Sequence, residues 1–285
     1  MMRGVELLNA TSTVLQRARL ADPIAGMWEA ADVQWWWRRP RVSDELALPV
    51  WFDDVGPVAS GYLTEWDGKW QFDAFTVASV VSWEDVWATT WAVAATLRDQ
   101  RFEMLVRADD AMPAELALDS GFESTDELSG TAWMDPDLRP PVSLVSGFEI
   151  VDRAGPTDRP HPMIARNGDL VEQRLRQCSL YEPTLDLAVE GADGGVAGYA
   201  LFWVDHTTGV GLLEPMRVAE DFQRRGLARM LLTTGLDRLA RHGARRLKVG
   251  FTTDAARSLY LGAGFVQTSV DRLLVRPAAN ESRGE

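Results

Sequence analysis

The chain holds a single cysteine, Cys178, among 285 residues. A lone thiol excludes an internal disulfide framework and leaves a metal ion no second thiolate. Histidine is nearly as scarce: His161, His206 and His242 lie far apart without HxxxH spacing, so no metal is expected. No apolar run reaches the ~18–20 residues of a membrane-crossing helix, and the first residues lack a basic-then-apolar signal pattern. A soluble, cytoplasmic protein with no membrane partner is the expectation. Positive charge is almost all arginine, Lys69 and Lys248 being the lysines. Glycine is missing from residue 69 through 120, which leaves that stretch without the residue best suited to a tight ligand-binding turn.

What is present points to two domains. A length of 285 residues is about twice the usual domain size, and 46% hydrophobic content is enough to build packed cores. The net charge of -13 is placed unevenly: residues 1–146 carry 11 basic against 24 acidic side chains, whereas 147–285 carry 18 of each. Such an acidic half repels nucleic acid and suits a cationic partner or a plain solvated surface. It also holds 11 of the 12 tryptophans, including Trp35-Trp36-Trp37. These read as large packing anchors, with an aromatic-lined pocket for a cationic or ring-bearing acceptor as the sharper alternative.

A Pro-rich stretch, Asp135-Pro136-Asp137-Leu138-Arg139-Pro140-Pro141, divides the chain and reads as a linker over 135–146. The flanking segments repeat one phrase. Val106 and Val249, Leu118 and Leu261, Gly121 and Gly264, and Phe122 and Phe265 all stand at one constant offset along strand, helix and turn. The spacing predicts domains over 1–134 and 147–278, followed by a disordered tail at 279–285. In the second, strands are expected at Phe148–Val151, Leu185–Glu190, Val196–Val204, Val210–Val218, Leu247–Phe251 and Thr268–Arg276. Apolar residues at 227, 231, 232, 236 and 239 predict an amphipathic helix over Leu227–Arg241, ended by Gly243. Further helices are expected at Leu170–Gln177, with Cys178 as a buried helical residue, and at Asp254–Leu261. A mixed α/β sheet with helices on its faces follows.

Between the strand ending at Val218 and the helix starting at Leu227 stands Gln223-Arg224-Arg225-Gly226-Leu227-Ala228. A helix start offers unpaired N–H groups and the positive end of the dipole, a ready site for pyrophosphate. Gly226 and Ala228 let phosphates approach the backbone, and Arg224, Arg225 and Arg229 add positive charge. This turn, in its strand-to-helix setting and followed by Leu259-Tyr260 and Gly264-Phe265, resembles the Q/R-x-x-G-x-G/A signature of the GNAT (Gcn5-related N-acetyltransferase) superfamily. The resemblance spans about residues 147–276. The layout of tandem units with one retained turn is similar to that of mycothiol synthase.

The resemblance implies two tandem GNAT-like domains and an acetyl-CoA co-substrate. It implies direct attack of an amine on the thioester in a ternary complex. It further implies cofactor contacts from Met216, Arg217 and Val218 on the strand, from the turn, and from Thr253 and Arg257 on the last helix. Thr253 stands where the family often has Asn, and it can cap that helix instead. Tyr260 falls at the position of the acid that protonates the leaving thiolate, a role suited to a neutral phenol donor. Glu214 falls where many members carry a base, acting directly or through water. The first half reads Val77-Ala78-Ser79-Val80-Val81-Ser82-Trp83-Glu84-Asp85-Val86 where its turn should be, so it is expected to bind no CoA. A small-molecule amine, with a cationic one fitting the acidic half, is the expected acceptor, with a monomer or homodimer as the assembly. A protein lysine or N-terminal amine as acceptor, and a non-catalytic CoA sensor or scaffold, are the alternatives.

Overall fold

A computed structural model describes residues 1–24, 26–77, 80–97, 99–155 and 159–279. In chain order the first half forms α1 (Gly4–Ala21), α2 (Ala30–Trp36), β1 (Val50–Phe52), β2 (Pro57–Trp66), β3 (Lys69–Thr76), α3 (Trp83–Ala94), β4 (Arg101–Arg107), α4 (Ala111–Asp119) and β5 (Glu123–Met134). The second half forms β6 (Phe148–Asp152), α5 (Ile164–Asn167), α6 (Val171–Leu175), β7 (Asp186–Gly191), β8 (Val196–Asp205), β9 (Val210–Val218), α7 (Leu227–Arg241), β10 (Arg246–Phe251), α8 (Asp254–Gly262) and β11 (Val266–Arg276). The repeat read from the sequence is visible in these bounds: α4 and α8 match residue for residue at the same offset as the Val, Leu, Gly and Phe pairs. The mixed α/β class is as expected.

Two compact units emerge, and their borders differ from those expected. One comprises residues 1–36, 40–129 and 269–285; the other comprises 37–39 and 130–268. Each half thus lends part of its closing strand to the unit built mainly from the other. In the first unit β11 lies antiparallel to β4, Leu273 opposite Leu105. In the second, the end of β5 lies antiparallel to β10, Ala132 opposite Val249. Local pattern predicts that these segments are strands, but their partners are chosen by long-range hydrogen bonding, which periodicity cannot express.

The Pro-rich stretch belongs to the second unit and does not run free as a linker. Arg139 pairs with Asp237 at 3.2 Å, and the Ser143 amide donates to Thr233 Oγ1 at 2.9 Å, so 135–146 straps helix α7. Trp37 joins the same unit: its indole N–H donates to Gln177 Oε1 at 2.8 Å, and the Arg174 guanidinium lies 3.8 Å over its ring. Residues 280–285, most of the expected tail, lie outside the described residues.

The second unit's sheet runs β5-β10-β9-β8-β7-β6, with β9 and β10 parallel and the other pairs antiparallel. Leu227, Leu231, Leu232, Leu236 and Leu239 of α7 are all buried against it. Each such side chain contributes about 1.5–3 kcal/mol by leaving water. Gly235 breaks the helix-propensity rule for a packing reason. A Cβ there would stand 1.9 Å from the Phe202 ring, which is itself fully buried. Gly243, at φ +84°, ends the helix, and Ala244 N–H returns to the Leu239 carbonyl.

In the first unit the sheet order is β1-β2-β3-β4-β11, with β3 and β4 parallel. Tryptophan fills its core: Phe72 packs 4.6 Å from Trp87 and 5.5 Å from Trp91 between ring centroids, and Trp36 is edge-on to Trp28 at 5.0 Å. A carboxylate sits among them. Asp73 is 2% exposed and accepts from Trp28 Nε1 at 3.0 Å and Gln71 Nε2 at 2.8 Å. Burial pushes its pKa up to about 7, partly opposed by those two donors and reinforced by Asp32.

Two outcomes follow from this packing. Gly235→Ala gains ~1 kcal/mol of helix propensity but overpacks a rigid ring at a cost of ~1–3 kcal/mol or more, so urea unfolding should show net destabilisation. Asp73 holds its proton in the folded state from its ordinary value near 4 up to about 7, whereas the unfolded chain has released it. Stability should therefore fall as pH rises through that window and level off above it. Tryptophan fluorescence during urea unfolding at pH 5 and pH 8 should show this loss, and Asp73→Asn should flatten it.

Candidate functional site

The site begins where β9 and β10 part. Their parallel pairing runs from Val210 opposite Arg246 to Leu213 opposite Val249 and ends there. Glu214 and Pro215, joined by a cis peptide bond, then form a bulge against β8: Leu213 faces Phe202 and Met216 faces Ala200, two residues set against Leu201 alone. Trp203 braces the bulge by donating from Nε1 to the Glu214 carbonyl at 2.8 Å. A bulge bends the strand that carries it. Met216, Arg217 and Val218 keep their pairing to β8 and lose it to β10, which opens a fork with free backbone on the β10 side. Gly198 permits the close β8 approach, since a Cβ there would stand 2.7 Å from the Arg217 carbonyl oxygen.

Beyond the fork the chain turns through Glu220–Phe222 to the start of α7. Arg224 and Gly226 take left-handed conformations, φ +61° and +86°. Among the described residues no protein acceptor meets the backbone N–H groups of 224–229, because α7 has no preceding turn to receive them. The helix dipole adds its positive end. The side chains divide the work differently from a simple phosphate clamp. Gln223 Nε2 donates to the Val218 carbonyl at 3.3 Å, and Arg225 donates to the Asp221 carbonyl at 2.8 Å while lying 5.2 Å over the Phe222 ring. Both brace the turn. Arg224 and Arg229 are exposed cations, and Ala228 is half-buried. Leu227, at 1% exposure, is a core residue that offers the site only its backbone.

The last helix brings up the remaining candidates. Thr253 caps α8 by accepting from the Ala256 amide at 3.2 Å, and Arg257 Nε donates to Gln267 Oε1 at 3.3 Å. Tyr260 is 7% exposed, packed 6.4 Å from Phe251 and 6.2 Å from Phe265. Burial first, and the Glu214 charge second, hold its phenol well above the ordinary tyrosine value. The structure thus brings the two proposed catalytic side chains, far apart in sequence, within electrostatic reach. The Tyr260 hydroxyl is a neutral donor at physiological pH.

Other polar side chains are placed away from such chemistry. Burial pushes the Cys178 thiol up to about 12, and the residue lies just beyond α6 rather than in a helix, because the helix stops at Leu175. His161 is fully enclosed: its Nδ1 accepts from the Met163 amide at 3.2 Å and its Nε2 meets Asp186 at 2.8 Å, where Tyr181 also donates at 2.9 Å. His206 is exposed. Among the described residues no three His, Cys, Asp or Glu side chains are grouped to hold a metal, and no helix is long and apolar enough to cross a membrane. Sequence reasoning missed Trp203 and Gly198, whose roles depend on strand pairing. The lone tryptophan of the second half was the available signal.

A forked parallel pair feeding a glycine-bent helix start defines the GNAT fold, and solved structures match it along nearly the whole chain. A GCN5-related N-acetyltransferase from Sphaerobacter thermophilus is 17% identical, with a TM-score of 0.62 over 97% of this chain and 96% of that one. A tandem GNAT protein from the clavulanic acid biosynthesis pathway is 18% identical, with a TM-score of 0.66 over 95% and 94%. One from Kribbella flavida is 15% identical, with a TM-score of 0.54 over 94% and 98%. No curated protein matches the sequence. The model of the acetyltransferase (GNAT) family matches residues 154–265, which contain the fork, the turn and Tyr260. The second unit is thus similar to the GNAT acetyltransferases in sequence, and the chain shares their fold.

Proposed function

We propose that the second unit transfers an acetyl group from acetyl-CoA to the amine of a small molecule by direct attack in a ternary complex, in the cytoplasm. The observation that carries this reading is the fork at Glu214 with the buried Tyr260 phenol within electrostatic reach of its charge. The free N–H groups of 224–229, with Arg224 and Arg229, would hold the pyrophosphate, and the open edge of Met216–Val218 would hold the extended arm. Glu214, directly or through water, takes the proton of the attacking amine. As nitrogen bonds to the carbonyl carbon and the carbon–sulfur bond breaks, Tyr260 delivers its proton to the departing thiolate and regains one from solvent. The first unit is assigned no CoA. Its α3 start is capped by Ser82, which accepts from the Asp85 amide at 3.1 Å, and Glu84 and Asp85 oppose phosphate charge. Ala78 and Ser79 of that segment lie outside the described residues.

Thiol release from acetyl-CoA with a panel of amines tests the reading, and buried Cys178 should leave the background low. Tyr260→Phe should lower kcat by roughly 10²–10⁴-fold while CoA affinity stays within about twofold. Gly226→Ala, forced into a left-handed conformation and crowding the phosphates, should weaken CoA binding about tenfold or more. CoA binding without thiol release from any amine would favour a sensor instead.

A further inference from the structure

The first unit repeats the fork. Parallel pairing of β3 with β4 runs from Lys69 opposite Arg101 to Gln71 opposite Glu103 and stops. Just beyond, a half-open cavity of about 110 Å³ lies between Asp73–Thr76 and Met104–Arg107, walled by α1 and the start of α4. The succession β3-α3-β4-α4 is that of β9-α7-β10-α8, so this cavity occupies the counterpart of the second unit's cleft. Having lost its phosphate turn, the fork kept its opening.

The lining is aromatic and, among the described residues, carries carboxylates without a cation bonded to them. Trp28, Phe75, Trp83 and Met104 supply the apolar wall. Of its two arginines, Arg19 is held by Glu29 through bonds of 2.6 and 3.1 Å, and both residues are buried. Arg107 is held by Asp109 at 2.7 and 2.8 Å and by the Ile24 carbonyl. Two carboxylates remain. Asp73 is fixed by neutral donors only, Trp28 and Gln71, and Asp110 makes no cap to its own helix. Burial raises the pKa of both: Asp32 adds to the rise at Asp73, whereas at Asp110 the nearby Arg107 charge offsets part of it and Asp109 adds a little. A cation bound between them would relieve that cost, and the aromatic rings would favour it further.

We propose that this cavity is a second, non-catalytic binding site that takes the head of a small organic ammonium ion carrying an apolar or aromatic body. Asp73 and Asp110 hold the ammonium by charge-assisted hydrogen bonds, and Trp28, Phe75 and Trp83 cover its carbons. A cavity of this size admits the ammonium and a few carbons, with the rest of the body at the mouth.

Calorimetry on the full chain with phenethylamine, and with phenethyl alcohol as the uncharged isostere, tests the site. The amine should bind at least about tenfold tighter than the alcohol. Asp110→Asn and Asp73→Asn should each remove most of that difference, and Glu214→Gln in the other unit should leave it unchanged. Should Asp73→Asn fail to fold, the half-buried Asp110 decides alone. Equal affinity for amine and alcohol, no amine binding up to about 10 mM, or an amine signal that only Glu214→Gln abolishes would each overturn the proposal. No acetyl transfer is measured, so an inactive protein that binds the amine through Asp110 sinks the proposed function and leaves this site standing.

Discussion

The parting of β9 from β10 after Leu213 is the constraint on which the second unit's chemistry rests. A parallel pair that stayed closed would spend the backbone groups of Met216–Val218 on its neighbour, and Glu214 would lie within a flat ladder. Two residues set opposite Leu201 alone, with the Trp203 indole fastened to the Glu214 carbonyl, prevent this. The same bend sends the chain into the turn whose left-handed Arg224 and Gly226 expose the N–H groups at the start of α7. Opening, charge and exposed N–H groups therefore arise from one local irregularity.

The packing around this irregularity is rigid where position matters. Gly235 brings α7 down onto Phe202, and Gly198 lets β8 close on Arg217. Both glycines are selected by contact distance rather than by flexibility. Tyr260 is held by two aromatic neighbours, so its phenol has a defined place, and the low-dielectric surroundings that raise its pKa keep it a donor. The strap of 135–146 adds Val145, 3.4 Å from where a side chain at Gly226 would begin.

The first unit repeats the fork beside a different helix start. Its helix start is closed by Ser82 and made acidic by Glu84 and Asp85, whereas the fork of its parallel strands is still open. The fork depends on strand register and core packing, which the tryptophan cluster maintains. The turn depends on a few exposed residues, which can change without cost to the core.

Local pattern alone determined much of this protein. Strand β9 and helix α7 have the bounds that alternation and 3.6-residue periodicity predict, and α4 and α8 follow from the repeat. The turn at Gln223–Ala228 and the place of Tyr260 were legible for the same reason, being short motifs with fixed neighbours. Tertiary structure decided the rest. It exchanged parts of the closing strands between units, turned the Pro-rich stretch from linker into strap, left Cys178 outside any helix, and assigned Gln223 and Arg225 to bracing the turn. It also set Glu214 within electrostatic reach of Tyr260 and left Asp73 without a cationic partner at the first unit's cavity. Hydrogen-bond partners across a sheet, and charges that meet through a core, are set by contacts distant in sequence, and no local period records them.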